Sequence, residues 1–144
     1  MALGLLPVFL LAQQSKIIIT PPAQIVTKPG ATVTETLKLE APPGIHVNSD
    51  KPKDEFIIPM KLTWADGLLL TKSITYPKAE EIKVGSQDLT VFTGNFTIQT
   101  VFEAPPKASS GSGAITGKLR YQACNNQMCF RPVTADVHIP VVIE

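Results

Sequence analysis

The two clearest alternating runs of the chain flank a short segment that holds its only two cysteines, Cys124 and Cys129. Apolar side chains alternate with polar ones in residues 115–121 and again in residues 133–143. Period-two alternation is typical of half-buried β-strands. Two such strands joined by a short polar segment form a hairpin. The cysteine pair is therefore predicted to lie at the tip of a β-hairpin.

The rest of the chain has the pattern of an all-β domain. Its 13 prolines and 9 glycines are spread along the sequence and separate short β-prone runs. Pro59 within one of these runs indicates an edge strand or a bulge, and Gly94 within another is predicted to mark a bulge. About eight strands with turn signals between them favour an immunoglobulin-like β-sandwich. Besides the hairpin strands, runs are predicted over residues 16–20, 32–40, 58–64, 68–76 and 89–102.

Length and composition favour one ordered domain. The 144 residues can bury their own core, and the net charge of +1 gives no indication of a nucleic-acid or membrane-binding surface. Residues 1–14 are apolar and uncharged and are too short to span a bilayer. We interpret them as a signal-peptide remnant or a disordered leader, with a buried first segment as the alternative. Residues 15–144 form the predicted immunoglobulin-like redox domain, and export would place its cysteines in an oxidising compartment.

A bridge between the two cysteines would close a very small loop. Such a bridge contributes only about 2 kcal/mol to stability, so it can open and close at little cost to the fold. Arg131 and Arg120 could stabilise a thiolate at the tip, which suits disulfide exchange. The alternative is an inert clip in a structural immunoglobulin-like binding module.

Strict alternation gives the two cysteines conflicting orientations. It places Cys124 with Arg120 and Gln122 on the polar side, but places Cys129 in step with the core residues that follow Val133. Bridged cysteines must point the same way. A bulge or break is therefore predicted near residues 130–132, where Pro132 cannot donate to the strand ladder.

A copper(I) site is the second alternative function. Soft ligands are available in Cys124, Met128, Cys129 and His138. The four-residue spacing differs from that of zinc ribbons and no second cluster exists, so no metal is expected. Met128 is interpreted more simply as an apolar residue that covers the disulfide or meets a partner. His46 and His138 lie far apart in sequence and accompany no nucleophile signature, so no catalytic role is expected of them.

The cysteine segment resembles a known family. The run Tyr121-Gln-Ala-Cys124, four residues, and Cys129-Phe130-Arg-Pro132 is similar to the N-terminal periplasmic domain of the thiol:disulfide interchange protein DsbD. The likeness extends over about residues 20–144 and includes residues 44–50. It implies an immunoglobulin-like fold without a bound cofactor. It also implies that Cys129 forms a mixed disulfide with the partner and that Cys124 resolves it.

The same resemblance implies partners and a compartment. Such a domain takes electrons from a thioredoxin-like domain that a membrane-embedded carrier supplies. It passes them to periplasmic disulfide isomerases or to thioredoxin-like factors of cytochrome c maturation. The chain is thus expected to act in the periplasm as one component of a protein-disulfide reductase, without nucleic acid and without a membrane span of its own.

Two departures from the family concern the tip and its cover. The best-known members have one more residue between the cysteines and shield the disulfide with an aromatic residue on a cap loop. The similar region here, residues 77–85, has no aromatic residue, so Ile82 or Val84 is expected to cover the sulfurs. Residues predicted to neighbour the pair or to form the cap are Tyr121, Met128, Phe130, Pro132, Glu80, Glu81 and Ile82.

Overall fold

The computed structural model describes residues 16–144, so the leader predicted for residues 1–14 lies outside the described residues. Within residues 16–144 the chain forms twelve β-strands and no helix. The part of the chain described here accordingly contains no helix able to span a membrane. The strands are β1 (Ile18–Ile19), β2 (Ile25–Thr27), β3 (Thr32–Glu40), β4 (His46–Asn48), β5 (Lys61–Trp64), β6 (Leu70–Thr75), β7 (Glu80–Val84), β8 (Gln87–Thr93), β9 (Asn95–Glu103), β10 (Gly111–Tyr121), β11 (Ala123–Cys124) and β12 (Val133–Ile143).

Two four-stranded sheets form the sandwich. One has the strand order β1-β3-β9-β6 and the other β2-β12-β10-β5. Trp64 of the second sheet meets Phe102 of the first edge-on, with ring centroids 5.3 Å apart. The Trp64 indole N–H donates to Thr100 Oγ1 at 3.0 Å. Buried aromatic side chains thus join the facing sheets and satisfy their polar atoms at the same time.

The all-β immunoglobulin-like prediction is confirmed, and the strand count is higher than the eight expected. Several of the additional strands have only two or three residues, too few to show an alternating pattern. β3 has the predicted bounds, and β5 lies at a sheet edge just after Pro59, as a proline in that run indicated. The polar segment 77–88 forms most of the β7–β8 hairpin.

A third sheet, of order β11-β4-β8-β7, carries the cysteine pair at one end of the sandwich. The chain passes directly between this sheet and both main sheets. β11 follows β10 after Gln122, and β8 is connected to β9 through Gly94. The bulge predicted at Gly94 is wrong. Gly94 has a φ of 57° and connects strands of two different sheets, so the chain turns a corner there, in a backbone conformation that glycine adopts without strain.

Candidate functional site

The cysteine pair lies at the end of the longest strand pairing in the molecule's described part. β10 and β12 pair over eleven residues each, from Gly111 opposite Ile143 to Tyr121 opposite Val133. Beyond Tyr121 the two arms continue to a disulfide between Cys124 and Cys129, whose Cα atoms are 4.0 Å apart. The predicted hairpin with its bridge near the tip is therefore present. The arms are held by the strand ladder, independently of the bridge.

Two interruptions reconcile the orientations of the cysteines. β12 begins only at Val133, whereas the Phe130 N–H still donates to the Ala123 carbonyl at 2.9 Å, so the predicted break lies between Phe130 and Val133. The second interruption, at Gln122, was not predicted. After it, Cys124 belongs to β11 and pairs with β4 instead of β5. Cys124 is consequently buried, and its predicted position on the polar side with Gln122 is wrong.

Gln122 fills the interruption with hydrogen bonds. Its side-chain N–H donates to the Phe130 carbonyl oxygen at 3.0 Å, and its Oε1 accepts from Asn48 Nδ2 at 3.2 Å. Its backbone carbonyl accepts from the Asn48 N–H at 3.2 Å. One side chain thus links both arms of the cysteine hairpin to β4.

Asn125 shapes the tip itself. Its Oδ1 accepts from the backbone N–H groups of Gln127 and Met128, both at 2.8 Å, and its own N–H donates to the Met128 carbonyl at 2.9 Å. An asparagine that bonds backbone groups two and three residues ahead stabilises a tight turn. The four residues between the cysteines therefore form an ordered, uncharged turn.

The two cysteine residues differ in accessibility. Cys124 is only 1% exposed, whereas Cys129 is exposed. Met128, which precedes Cys129, is also exposed, at 53% of its surface. Because thiol–disulfide exchange requires an incoming sulfur to reach one sulfur of the bridge, a protein partner can approach Cys129 and not Cys124.

The residues predicted to neighbour the pair differ in environment. Tyr121 is buried, and its hydroxyl accepts a hydrogen bond from the Ile17 N–H at 3.2 Å. Burial raises the pKa of Tyr121. Phe130 is also buried, while Pro132 and Arg131 are exposed. Tyr121 and Phe130 therefore belong to the framework that holds the hairpin.

The predicted cap segment lies in the same sheet as Cys124. Ile82 of β7 is half-buried, and it lines a shallow depression together with His46 and Asn126 of the tip. Glu80 and Glu81 are exposed. Glu81 pairs with Lys53 at 2.9 Å, which lowers the pKa of this carboxyl group. The structure thus brings Ile82 towards the tip while leaving Cys129 open, so a covering role for Ile82 stays a prediction.

His46 was set aside on sequence grounds, yet the structure places it beside the pair. It lies directly opposite Cys124 in the β4–β11 pairing and is 4% exposed. Burial lowers the pKa of its imidazole. A three-residue strand gives no usable alternation. The only available signal was that residues 44–50 belong to the segment with family resemblance.

The copper(I) alternative requires four ligands close together, and the fold separates His138 from the other three. His138 lies opposite Thr116, five residues along β12 from Val133. Five residues of strand correspond to about 17 Å, and the hairpin arm adds further distance to the cysteines. No cluster of three or more His, Cys, Asp or Glu side chains suited to a metal is found in residues 16–144. His138 therefore does not join Cys124, Met128 and Cys129.

Comparison with known proteins identifies the type of domain. Residues 14–140 match the family model described as the thiol:disulfide interchange protein DsbD, N-terminal. A search of curated proteins finds no match. The N-terminal periplasmic domain of ScsB from Proteus mirabilis superimposes with a TM-score of 0.58 at 12% identity, over 85% of this chain and 44% of that one. The chain thus spans less than half of that structure.

The second structure is the reduced N-terminal domain of DsbD from Neisseria meningitidis. It is 21% identical with a TM-score of 0.49, and the likeness covers 84% of this chain and 83% of that one.

Proposed function

Because this chain belongs to the family of DsbD N-terminal domains, whose role is disulfide exchange, we propose that it relays electrons between proteins through Cys124 and Cys129. It receives them from a thioredoxin-like domain and delivers them to oxidised proteins of the periplasm. The observation that supports this most strongly is the unequal exposure of the two bridged cysteines. Relays need one sulfur that meets the partner and one that is protected from it.

Delivery starts from the dithiol form. The Cys129 thiolate attacks one sulfur of the partner's disulfide, and the partner's second sulfur leaves as a thiolate that takes up a proton. The Cys124 thiolate then attacks the Cys129 sulfur and breaks the bond to the partner. The Cys124–Cys129 bond forms again, and the partner departs as a dithiol that has gained two electrons and two protons. A reduced thioredoxin-like donor then reduces the Cys124–Cys129 disulfide by the same exchange steps in reverse order.

The fold tolerates this cycle for two reasons. A loop this small gives the bridge only about 2 kcal/mol of stabilisation, and the eleven-residue ladder holds the arms in either redox state. Gln122 and Asn125 hold the tip through bonds that involve neither sulfur. The dithiol and disulfide forms can therefore share one backbone.

Periplasmic proteins with thioredoxin-like folds, among them disulfide isomerases and factors of cytochrome c maturation, are the proposed acceptors. The uncharged tip, with exposed Met128 beside Cys129, suits an apolar surface around a partner's cysteine. We place the domain in the periplasm, associated with a membrane-embedded electron carrier, as a component of a protein-disulfide reductase.

Trapping the mixed disulfide tests the relay. Cys124→Ser, once reduced, should form a disulfide through Cys129 with an oxidised thioredoxin-like protein, because the resolving thiol of the domain is missing. Rapid alkylation of the partner's released thiol keeps this adduct from reverting. Cys129→Ser, the matched control, should trap almost nothing since its remaining thiol is buried. The adduct is measured by non-reducing electrophoresis and mass spectrometry. Failure of both variants to form an adduct would contradict the relay.

The reduction potential separates the relay from an inert clip. A relay should have a potential between about −270 and −120 mV, the range of thioredoxin to strong periplasmic oxidants, whereas structural bridges lie below about −300 mV. Equilibration with glutathione buffers measures it. A value in the structural range would favour the binding module.

A further inference from the structure

His46 occupies the position opposite Cys124 in the third sheet. The two residues are direct partners in the antiparallel β4–β11 pairing. Side chains of direct partners project from the same face, with Cβ atoms about 4.5–5.5 Å apart. Both side chains are buried, at 4% and 1% exposure. The imidazole and the buried cysteine side chain are therefore cross-strand neighbours on one face of the sheet.

The Nε2 atom of His46 is buried and has no hydrogen-bond partner among residues 16–144. Every other buried side-chain nitrogen or oxygen in this part of the chain has a hydrogen-bond partner. Leaving such an atom without a partner destabilises the fold, so it calls for an explanation. Breaking the disulfide would create a buried thiol at Cys124 that can donate the missing hydrogen bond.

We propose that His46 Nε2 accepts the proton of the Cys124 thiol when that thiol resolves the mixed disulfide. The role given to His46 rests on the exchange function proposed above, and it assigns the proton acceptor for the buried cysteine. In the reduced domain the imidazole is neutral, with its proton on Nδ1 and its Nε2 lone pair turned to the thiol.

The Cys124 S–H proton moves to Nε2, which leaves a thiolate and an imidazolium. The thiolate attacks Cys129 Sγ, the Cys124–Cys129 bond forms, and the Cys129–partner bond breaks. The partner's sulfur leaves with the electron pair. It is protonated by the imidazolium or by solvent, so His46 returns to its neutral form.

The surroundings keep the imidazole of His46 a neutral acceptor. Burial lowers the pKa of His46 below its ordinary value of 6.5, so the ring is neutral at pH 7. On its other side His46 lies opposite Thr93, whose hydroxyl donates to Glu80 at 3.0 Å. Glu40 lines the same depression as His46. The other titratable side chains on β7 and β8 are Glu81, Lys83 and Asp88. Burial, and not any of these charges, is the cause of the lowered pKa of the ring.

The resolving step can be timed without a protein partner. The reduced domain is mixed with an equimolar amount of the aromatic disulfide DTNB, which releases a coloured thiolate twice. The first release reports attack by Cys129, and the second reports resolution by Cys124. His46→Gln keeps a polar side chain but cannot take the proton. We expect its second release to be about 30-fold slower at pH 7, where a thiol of ordinary pKa near 8.5 is only about 3% ionised.

The dependence on pH distinguishes proton transfer from a structural effect. With His46, the second release should already be near its maximum at pH 7. In His46→Gln it should keep rising towards about pH 8.5, following the thiol's own ionisation. His138→Gln, which alters the other histidine of the chain, should leave both phases unchanged. A slowing of less than about threefold in His46→Gln, with an unaltered pH profile, overturns the proposal.

A measurement on the wild-type domain covers the case in which His46→Gln does not fold. Nitrogen NMR of the two imidazoles should show a shift of His46 Nε2 on reduction, as it gains the thiol hydrogen bond, and no shift at His138. An unchanged Nε2 signal overturns the proposal. Neither experiment needs a relay partner, so failure to trap a mixed disulfide with a protein leaves both readouts intact.

Discussion

Gln122 donates its side-chain N–H to the backbone carbonyl of Phe130 at 3.0 Å, across the hairpin where the β10–β12 ladder has ended. This bond lies between the last ladder pair and the disulfide. It keeps the arms together at the point where the chain turns Cys124 inwards. The glutamine of the Tyr-Gln-x-Cys motif therefore has a structural reason to be there.

Replacing Gln122 by alanine should destabilise the domain by about 1–3 kcal/mol, because it removes two side-chain hydrogen bonds and takes the side-chain donor away from the Phe130 carbonyl. The Asn48 amide keeps its hydrogen bond to the Ile58 carbonyl at 3.2 Å. Urea unfolding of the oxidised protein measures the change. Gln127→Ala is the matched control on the same hairpin. Its side chain is exposed and its bond at the tip uses the backbone N–H, so a similar loss in both variants would contradict this account.

The reduced cysteines should react with alkylating reagents at very different rates. Cys129 is exposed and Cys124 is 1% exposed, and reactivity requires an accessible thiolate. Brief treatment of the reduced domain with iodoacetamide should therefore label Cys129 at least about tenfold faster than Cys124. Peptide mass spectrometry measures both. Equal labelling would mean that reduction opens the hairpin and exposes the second sulfur.

Acidification should destabilise the domain through His46. Burial lowers the pKa of its imidazole below the 6.5 of the unfolded chain, so between these two values the unfolded state binds more protons. The free energy of unfolding therefore increases with pH in that window. The contribution is fully present above pH 6.5 and is lost as the pH falls through the lower, folded pKa. Denaturant unfolding at a series of pH values measures the slope.

In His46→Gln this slope should become smaller, whereas His138→Gln should retain it. Burial raises the pKa of Glu35, which acts in the opposite direction above pH 4.5, because a raised folded pKa gives stability that is lost as pH rises. Glu35 is the same in all three proteins, so its effect cancels in the comparison. Parallel curves for wild type and His46→Gln would show that His46 does not titrate differently on folding.

Gly117→Ala should lower stability by about 1–3 kcal/mol through overpacking. A Cβ atom at this position would lie 2.5 Å from Cε3 of Trp64, on the indole that joins the two sheets. Gly67→Ala is the control, since a Cβ there meets open space. Thermal unfolding of both variants measures the difference. Equal stability of the two would mean that Trp64 can move aside without loss.

The elements with strong alternation could be predicted from sequence. β3 has its predicted bounds, and the pairing of β10 with β12 follows from two long period-two runs joined by a short polar segment. The short strands could not be predicted, because two or three residues are too few to show an alternation of apolar and polar side chains. β4 and β11 exist because neighbouring backbone in the third sheet satisfies their hydrogen bonds, and the partner strands are far away in sequence.

By itself the sequence determined the all-β class, the hairpin and the proximity of Cys124 to Cys129, since each depends on periodicity or on a separation of a few residues. Only the tertiary structure decided which sulfur is buried and that His46 lies opposite it. Both depend on a change of strand partner at Gln122, from the sandwich sheet to the sheet at its end. Such a change is set by packing between distant segments, and one-dimensional alternation contains no information about it.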